Sequence, residues 1–311
     1  MKVLADGSIF MLILTLKQEI KGREKMKDIK VIAEVGCNHK GEMEVAHEMI
    51  KVAAEFCKVD IVKFQKRTPK ELLTIEEYNA PHPVPHNSYG KTYGEHREFL
   101  EFDLDQHKQL KKWCEDWGVV YSTSVWDMTS AKEITSINPE LIKIPSACNL
   151  KFNMLDYLCK EYDGEIHLSF GMTTQEEEEK VVKFFEDRGR AKDLVIYSCT
   201  SGYPVPFEDI CLNEILRIRK TFENRVKSIG FSGHHLGIAA DIAALAYGAK
   251  YFERHFTLDR TWKGTDHAAS LEPDGMRRLT RDLKNVSKAL TYKQKEILDI
   301  EDTQRQKLKR F

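Results

Sequence analysis

Two patterns of apolar residues alternate along the chain from residue 30 to residue 290. Short, continuous runs rich in β-branched residues predict strands over 30–36, 60–65, 119–125, 141–146, 165–171, 194–200, 228–233 and 251–258. Between them the apolar positions recur every three or four residues. Val45, Met49, Val52, Ala53 and Phe56 mark the first such helix, over 43–56. Others are expected over 105–117, 128–136, 153–161, 175–187, 207–222, 237–247 and 274–290. Strand–helix alternation of this regularity needs crossover connections and therefore a parallel sheet. Eight units in roughly 250 residues match a (β/α)8 TIM barrel. An open, doubly wound sheet usually carries fewer strands, and no Gly-x-Gly-x-x-Gly or Walker motif supports a nucleotide-binding version.

The barrel pattern occupies 28–291 of the 311 residues. Before it, 1–27 reads as an N-terminal extension, with Met26 standing close to the first strand. Its apolar run, Ile9 to Leu16, is too short to span a bilayer and lacks the flanks of a signal peptide. After it, 292–311 reads as a charged, helical tail. One connection breaks the rhythm. Residues 66–100 follow the second strand and contain Pro81, Pro83 and Pro85, which forbid a regular helix. Long loops in compact domains are commonly functional, so a substrate-covering loop is expected here.

Lys and Arg total 48 against 49 Asp and Glu, a formal charge of −1, which favours neither nucleic acid nor an anionic membrane as partner. The seven cysteines include no Cys-x-x-Cys pair. An odd count without that spacing argues against a disulfide framework or a thiolate zinc site and points to a reducing cytoplasm.

Charge matters more where it interrupts apolar strands, because a buried ionisable group is costly without a partner. Glu34, Lys63, Gln65, Lys143 and His255 all fall toward the C-terminal ends of predicted strands, the rim at which barrel active sites are built. Each by itself also fits a structural ion pair. Together, Lys63 and Lys143 suit an anionic substrate bearing carboxylate or phosphate. The hydroxyls of Thr123, Ser146, Ser201 and Ser232 are candidates to bond its oxygens. Glu34 suits a base, or a group that orients a metal-bound water. His234 and His255 end neighbouring strands and form a candidate metal pair with open positions. Two imidazoles favour a transition metal such as Mn2+ or Zn2+. His235, next in sequence, leaves the ligand assignment open.

Seven segments, in order, resemble the sialic acid (N-acetylneuraminate) synthase family. They are Ile32-Ala33-Glu34-Val35-Gly36-Cys37-Asn38-His39-Lys40-Gly41, Val62-Lys63-Phe64-Gln65, Lys143-Ile144-Pro145-Ser146, Ser169-Phe170-Gly171-Met172, Tyr203-Pro204-Val205-Pro206, Glu253-Arg254-His255-Phe256-Thr257 and Asp266-His267-Ala268-Ala269-Ser270-Leu271-Glu272-Pro273. The resemblance implies a homodimeric, metal-dependent barrel that condenses phosphoenolpyruvate with an open-chain N-acylated hexosamine such as N-acetylmannosamine. The products are a nine-carbon 2-keto-3-deoxy acid and phosphate. It further implies that His234 and His255 hold the metal, with Mn2+ expected and Mg2+ or Co2+ as alternatives. Glu34 would move a proton, and Lys63, Thr123, Lys143, Ser146, Ser201 and Ser232 would hold phosphoenolpyruvate. Gln65 and Tyr203 would face the sugar, and Asp266 would lie near the metal.

The match has departures. Ala147-Cys148-Asn149 follows Ser146 where many members carry a carboxylate two positions on. Gly233 and Thr265 replace a common Asp and Pro. The chain also stops where many members begin a small antifreeze-like domain. The phosphoenolpyruvate half is therefore expected intact and the sugar half altered. Rival readings are a synthase of shorter keto-deoxy acids, whose phosphorylated acceptor would need extra basic residues such as Arg67 or Arg97, a metal-dependent aldolase, and a catalytically silent sugar-binding barrel.

Overall fold

The computed structural model describes residues 29–310; the expected extension over 1–27 lies outside the described residues. Eight parallel strands close a barrel in sequence order, with β8 pairing back onto β1. They are β1 (Lys30–Gly36), β2 (Ile61–Lys66), β3 (Val120–Val125), β4 (Leu141–Ile144), β5 (Glu165–Ser169), β6 (Leu194–Cys199), β7 (Ser228–Gly233) and β8 (Tyr251–His255). The helices are α1 (Met43–Lys51), α2 (Pro69–Leu72), α3 (Ile75–Asn79), α4 (Tyr93–Leu100), α5 (Leu104–Asp116), α6 (Met128–Ser136), α7 (Phe152–Glu161), α8 (Gln175–Asp187), α9 (Asn213–Phe222), α10 (Ala239–Ala246), α11 (Pro273–Ala289) and α12 (Asp299–Leu308). This is the (β/α)8 barrel that the hydrophobic pattern predicts. Residues 29–283 form one compact unit, and the described chain from Lys284 belongs to a second.

Local chemistry sets where elements stop. β4 ends one residue before Pro145, which has no N–H to give to the ladder. The helix expected over 43–56 turns π-helical at Val52–Phe56. The one expected over 207–222 splits into a 3-10 turn at Phe207–Asp209 and α9, with Cys211 between them at a φ of 52°. Such a φ lies outside the helical region and interrupts the helix.

Alternation along the strands divides the barrel into two chemistries. The outward faces of β4, β5 and β6 carry Ile142, Ile166, Leu168 and Ile196, which pack against Leu155, Val181, Phe185 and Phe222 of the helices. Inside, Ile32, Ile61, Leu141, Val195 and Tyr197 form an apolar layer. Gly230 leaves room for that layer, since a Cβ there would lie 2.5 Å from the Tyr197 ring. Two residues further along β1, β2 and β4 the same inward face becomes Glu34, Lys63 and Lys143. The pattern that builds the core thus delivers charge to the C-terminal mouth.

The long connection after β2 is built of short helices punctuated by its prolines. It is tied to the loop after β8. The Tyr89 hydroxyl donates to the Lys263 carbonyl at 2.6 Å, and the Gly264 N–H reaches Asn87 Oδ1 at 3.4 Å. Tyr89 also stacks on Phe99 of α4, with ring centroids 5.0 Å apart.

A buried ion pair locks the β7–α10–β8 unit. Arg254 of β8 lies 2.5 Å from Asp241 of α10 and also donates to the Gly237 carbonyl at 2.8 Å. His235 Nε2 stands 3.2 Å from the same carboxylate. Removing one partner of a buried pair leaves an uncompensated charge. We expect Asp241→Ala to cost about 3–5 kcal/mol in urea unfolding; a change inside experimental error would mean that the pair does not hold this unit.

Candidate active site

The mouth of the barrel holds a cavity of about 320 Å3. Glu34, Lys63, Gln65, Lys143, Ser146, Ser201, Tyr203, Ser232, His234 and His255, all singled out from sequence, line it together. They arrive by register. Glu34 pairs with Lys63 on one side and His255 on the other, and Gln65 pairs with Ser124. Gly171 makes a close approach possible, because a Cβ there would lie 2.4 Å from both Ser146 Oγ and Ser201 Oγ.

Buried charges dominate. Lys63 Nζ lies 2.6 Å from Glu34 Oε2 and 3.6 Å from Glu253 Oε1, and it donates to Ser124 Oγ at 2.8 Å. Lys143 Nζ lies 2.8 Å from Glu253 Oε2 and 3.7 Å above the centre of the Tyr197 ring. Ser232 donates to Glu253 Oε1 at 3.2 Å, and Gln65 Nε2 to Glu34 Oε1 at 2.9 Å. Burial opposes ionisation of Lys63, Lys143 and Glu253. For Lys143 burial prevails over the pull of Glu253, and its pKa falls. For Lys63 burial is outweighed by Glu253 and Glu34, so its pKa rises. Burial likewise opposes ionisation of Glu253, but Lys143 and then Lys63 hold its carboxyl well below the usual range. Lys63 therefore keeps its proton more firmly than Lys143.

The two imidazoles stand with ring centroids 5.4 Å apart, and the Tyr203 ring meets both, at 4.6 Å and 5.7 Å. His234 Nδ1 lies 3.2 Å from the Thr200 carbonyl. A carbonyl only accepts, so Nδ1 carries the hydrogen and Nε2 the lone pair. Burial, then the nearby His255, push His234 down to about 3, which leaves it a neutral imidazole at neutral pH. His255 Nδ1 is buried without a hydrogen-bond partner and lies 3.9 Å from Asp266 Oδ2. His235 faces the Arg254–Asp241 pair instead, so the geometry favours His234 as the member of the pair.

An orphaned ring nitrogen and a fixed neutral imidazole are the donor chemistry an open metal site needs. Among the described residues no cluster of three or more His, Cys, Asp or Glu side chains is placed to hold an ion. The donors fit a half-open site, in which substrate and water complete the coordination, better than a closed structural one.

Thr123 is placed differently from expectation, whereas Asp266 lies beside His255 as expected. Thr123 is fully buried but does not line the cavity. It pairs with Phe64 and Ile142, and its neighbour Ser124 takes the inward position. The alternation of a strand allows only one of them to face the mouth. Asp266 borders His255 without lining the cavity. Two groups were missed, Glu253 and Ser124. Glu253 sits two residues before His255 on the same strand face, and that spacing was the available signal.

The chain matches the model of the NeuB family over residues 49–295. It is 36% identical over 278 residues to the human N-acetylneuraminate-9-phosphate synthase, covering 89% of this chain and 76% of that protein. It is 30% identical over 268 residues to the N,N'-diacetyllegionaminic acid synthase of Campylobacter jejuni, covering 85% of this chain and 78% of that one. A solved structure of the N-acetylneuraminic acid synthetase of Leptospira borgpetersenii, in complex with citrate, superposes with a TM-score of 0.76 at 25% identity, covering 90% of this chain and 92% of that chain. Barrel, mouth and sequence agree, and the chain belongs to the NeuB family.

Proposed function

We propose that this sialic acid-type synthase condenses phosphoenolpyruvate with an open-chain aldose, N-acetylmannosamine or a related hexosamine, to give a nine-carbon 2-keto-3-deoxy acid and phosphate. The observation that carries the reading is the placement of Lys63, Lys143, Glu34 and Glu253 in one cavity with the His234–His255 pair. Two buried ammonium groups suit a small polyanion, and the hydroxyls of Ser146, Ser201 and Ser232 suit its remaining oxygens.

In the reaction, C3 of phosphoenolpyruvate forms a bond to the aldehyde carbon, whose oxygen takes up a proton. Water adds at C2, and the C2–O bond then breaks to release phosphate and leave the ketone. Lys63 and Lys143 neutralise charge on carboxylate and phosphate, and Lys63 stays protonated because two carboxylates flank it. Glu34, fixed by Lys63 and Gln65, takes the proton from the attacking water. His234 and His255 would hold a divalent ion, Mn2+ in preference to Mg2+ or Co2+, and such an ion supplies Lewis-acid polarisation of the aldehyde oxygen. Tyr203 and Gln65 orient the sugar, and Asp266 steadies His255. A homodimer in a reducing cytoplasm completes the proposal; the seven cysteines are all unpaired.

Phosphate release from phosphoenolpyruvate, measured with Mn2+ and a panel of aldoses, is expected with at least one hexosamine. Release with none would sink the reading. His234→Ala and His255→Ala should each abolish metal-stimulated turnover while leaving the circular dichroism spectrum intact; full activity in either would reassign the ligand. Ser124→Ala, which removes the hydroxyl bonded to Lys63, should raise KM for phosphoenolpyruvate by about tenfold, as expected for a hydrogen bond to a charged group. Thr123→Val should leave that KM unchanged, and the reverse ranking would return Thr123 to the site.

A further inference from the structure

A line of polar groups runs through the barrel interior to the underside of Lys143. It starts at the end opposite the mouth. There the Glu165 carboxylate of β5 accepts from Lys227 Nζ at 2.8 Å and from the Tyr251 hydroxyl at 3.2 Å. His167 follows two residues along the same strand face and is fully buried. Its Nε2 lies 3.2 Å from Glu165 Oε2, and its Nδ1 lies 2.7 Å from the Tyr197 hydroxyl. Burial opposes ionisation of Glu165, but His167 and Lys227 outweigh it and bring the carboxyl down to about 2. Burial also pushes the His167 pKa down, which keeps that ring neutral. An ionised carboxylate only accepts, so Nε2 carries the hydrogen and Nδ1 accepts from Tyr197. Each bond then has one direction, and the line ends by fixing the Tyr197 ring.

That ring lies under Lys143, whose Nζ stands 3.7 Å from its centre. The titratable and charged groups facing Lys143 are Glu253 of β8, Lys63 of β2, Cys199 of β6 and His167 of β5. The face of an aromatic ring attracts an ammonium, most strongly where water is excluded. Glu253 attracts it too, but takes one of its three hydrogens. The ring supports the charge without an acceptor atom and leaves the remaining hydrogens for substrate oxygens. An aliphatic side chain would fill the same space without that attraction.

We propose that Tyr197, fixed by His167, is a positioning residue that presents the Lys143 ammonium to the anionic substrate. The inference rests on the phosphoenolpyruvate reading above, and its first readout needs no ligand. Lysine side chains labelled with 13C at Cε report their protonation by NMR, and Lys143→Arg assigns the Lys143 signal. In Tyr197→Leu the Lys143 midpoint should fall by about 0.5–1 pH unit. Above that midpoint, calorimetry should show phosphoenolpyruvate bound about three- to tenfold more weakly than by the wild-type protein. Tyr197→Phe keeps the ring and should recover most of both values. Circular dichroism checks the fold, and if Tyr197→Leu does not fold, Tyr197→Met makes the same comparison. A midpoint unmoved, or a wild-type affinity retained, in the aliphatic variant overturns the proposal. So does Tyr197→Phe matching Tyr197→Leu, which would assign the effect to the hydroxyl. A shifted midpoint with no phosphoenolpyruvate binding by the wild-type protein would keep the support of Lys143 and sink the substrate reading. Wild-type binding with an unmoved midpoint would sink the positioning role alone.

Discussion

Four charged side chains share the barrel mouth almost out of reach of water. Glu34, Lys63, Lys143 and Glu253 are 1%, 3%, 2% and 7% exposed. None of them would be tolerable there alone, and together their formal charges cancel. Lys63 is held between both carboxylates and Glu253 between both lysines, and backbone register places Lys63 beside Glu34. An entering anion must therefore compete with Glu34 and Glu253 for the lysines. That competition favours a compact polyanion over a single carboxylate. Ser124, Ser232 and Gln65 bond to the quartet, so they too are ordered before any substrate arrives.

Much of this was legible in the chain. All eight strands and the mouth-facing Glu34, Lys63, Lys143 and His255 could be read from apolar runs interrupted by charge. What escaped has a physical reason. Thr123 and Ser124 are adjacent hydroxyls in a run without a charged marker, so the phase of alternation in β3 was not fixed until β2 paired with it. Glu253 sat in plain sight, yet its meaning depends on Lys63 and Lys143, which reach it from other strands. His235 is drawn to the Arg254–Asp241 pair and His234 to the Thr200 carbonyl, contacts with other elements that no local pattern announces.

Strands and loops divide the labour. The groups assigned to bond making mostly stand on β1, β2, β4, β7 and β8 or just past their ends. A neighbouring hollow, lined by Arg67, Arg97, Trp126, Ala147 and Lys151, is built from residues that follow β2, β3 and β4. Loops vary more freely than barrel strands. A strand-built centre beside loop-built walls leaves room for variation among relatives, whose names specify N-acetylneuraminate-9-phosphate in one case and N,N'-diacetyllegionaminic acid in another.

The bonds from Tyr89 and Asn87 to the loop after β8 join the two sides of the rim that flank β1, the strand of Glu34. Over that sector the roof is fastened to the wall. Across the opposite arc, past the ends of β3, β5 and β6, Trp126, Met172 and Tyr203 line the cavity. A barrel whose strands are nearly equivalent thereby acquires a front and a back.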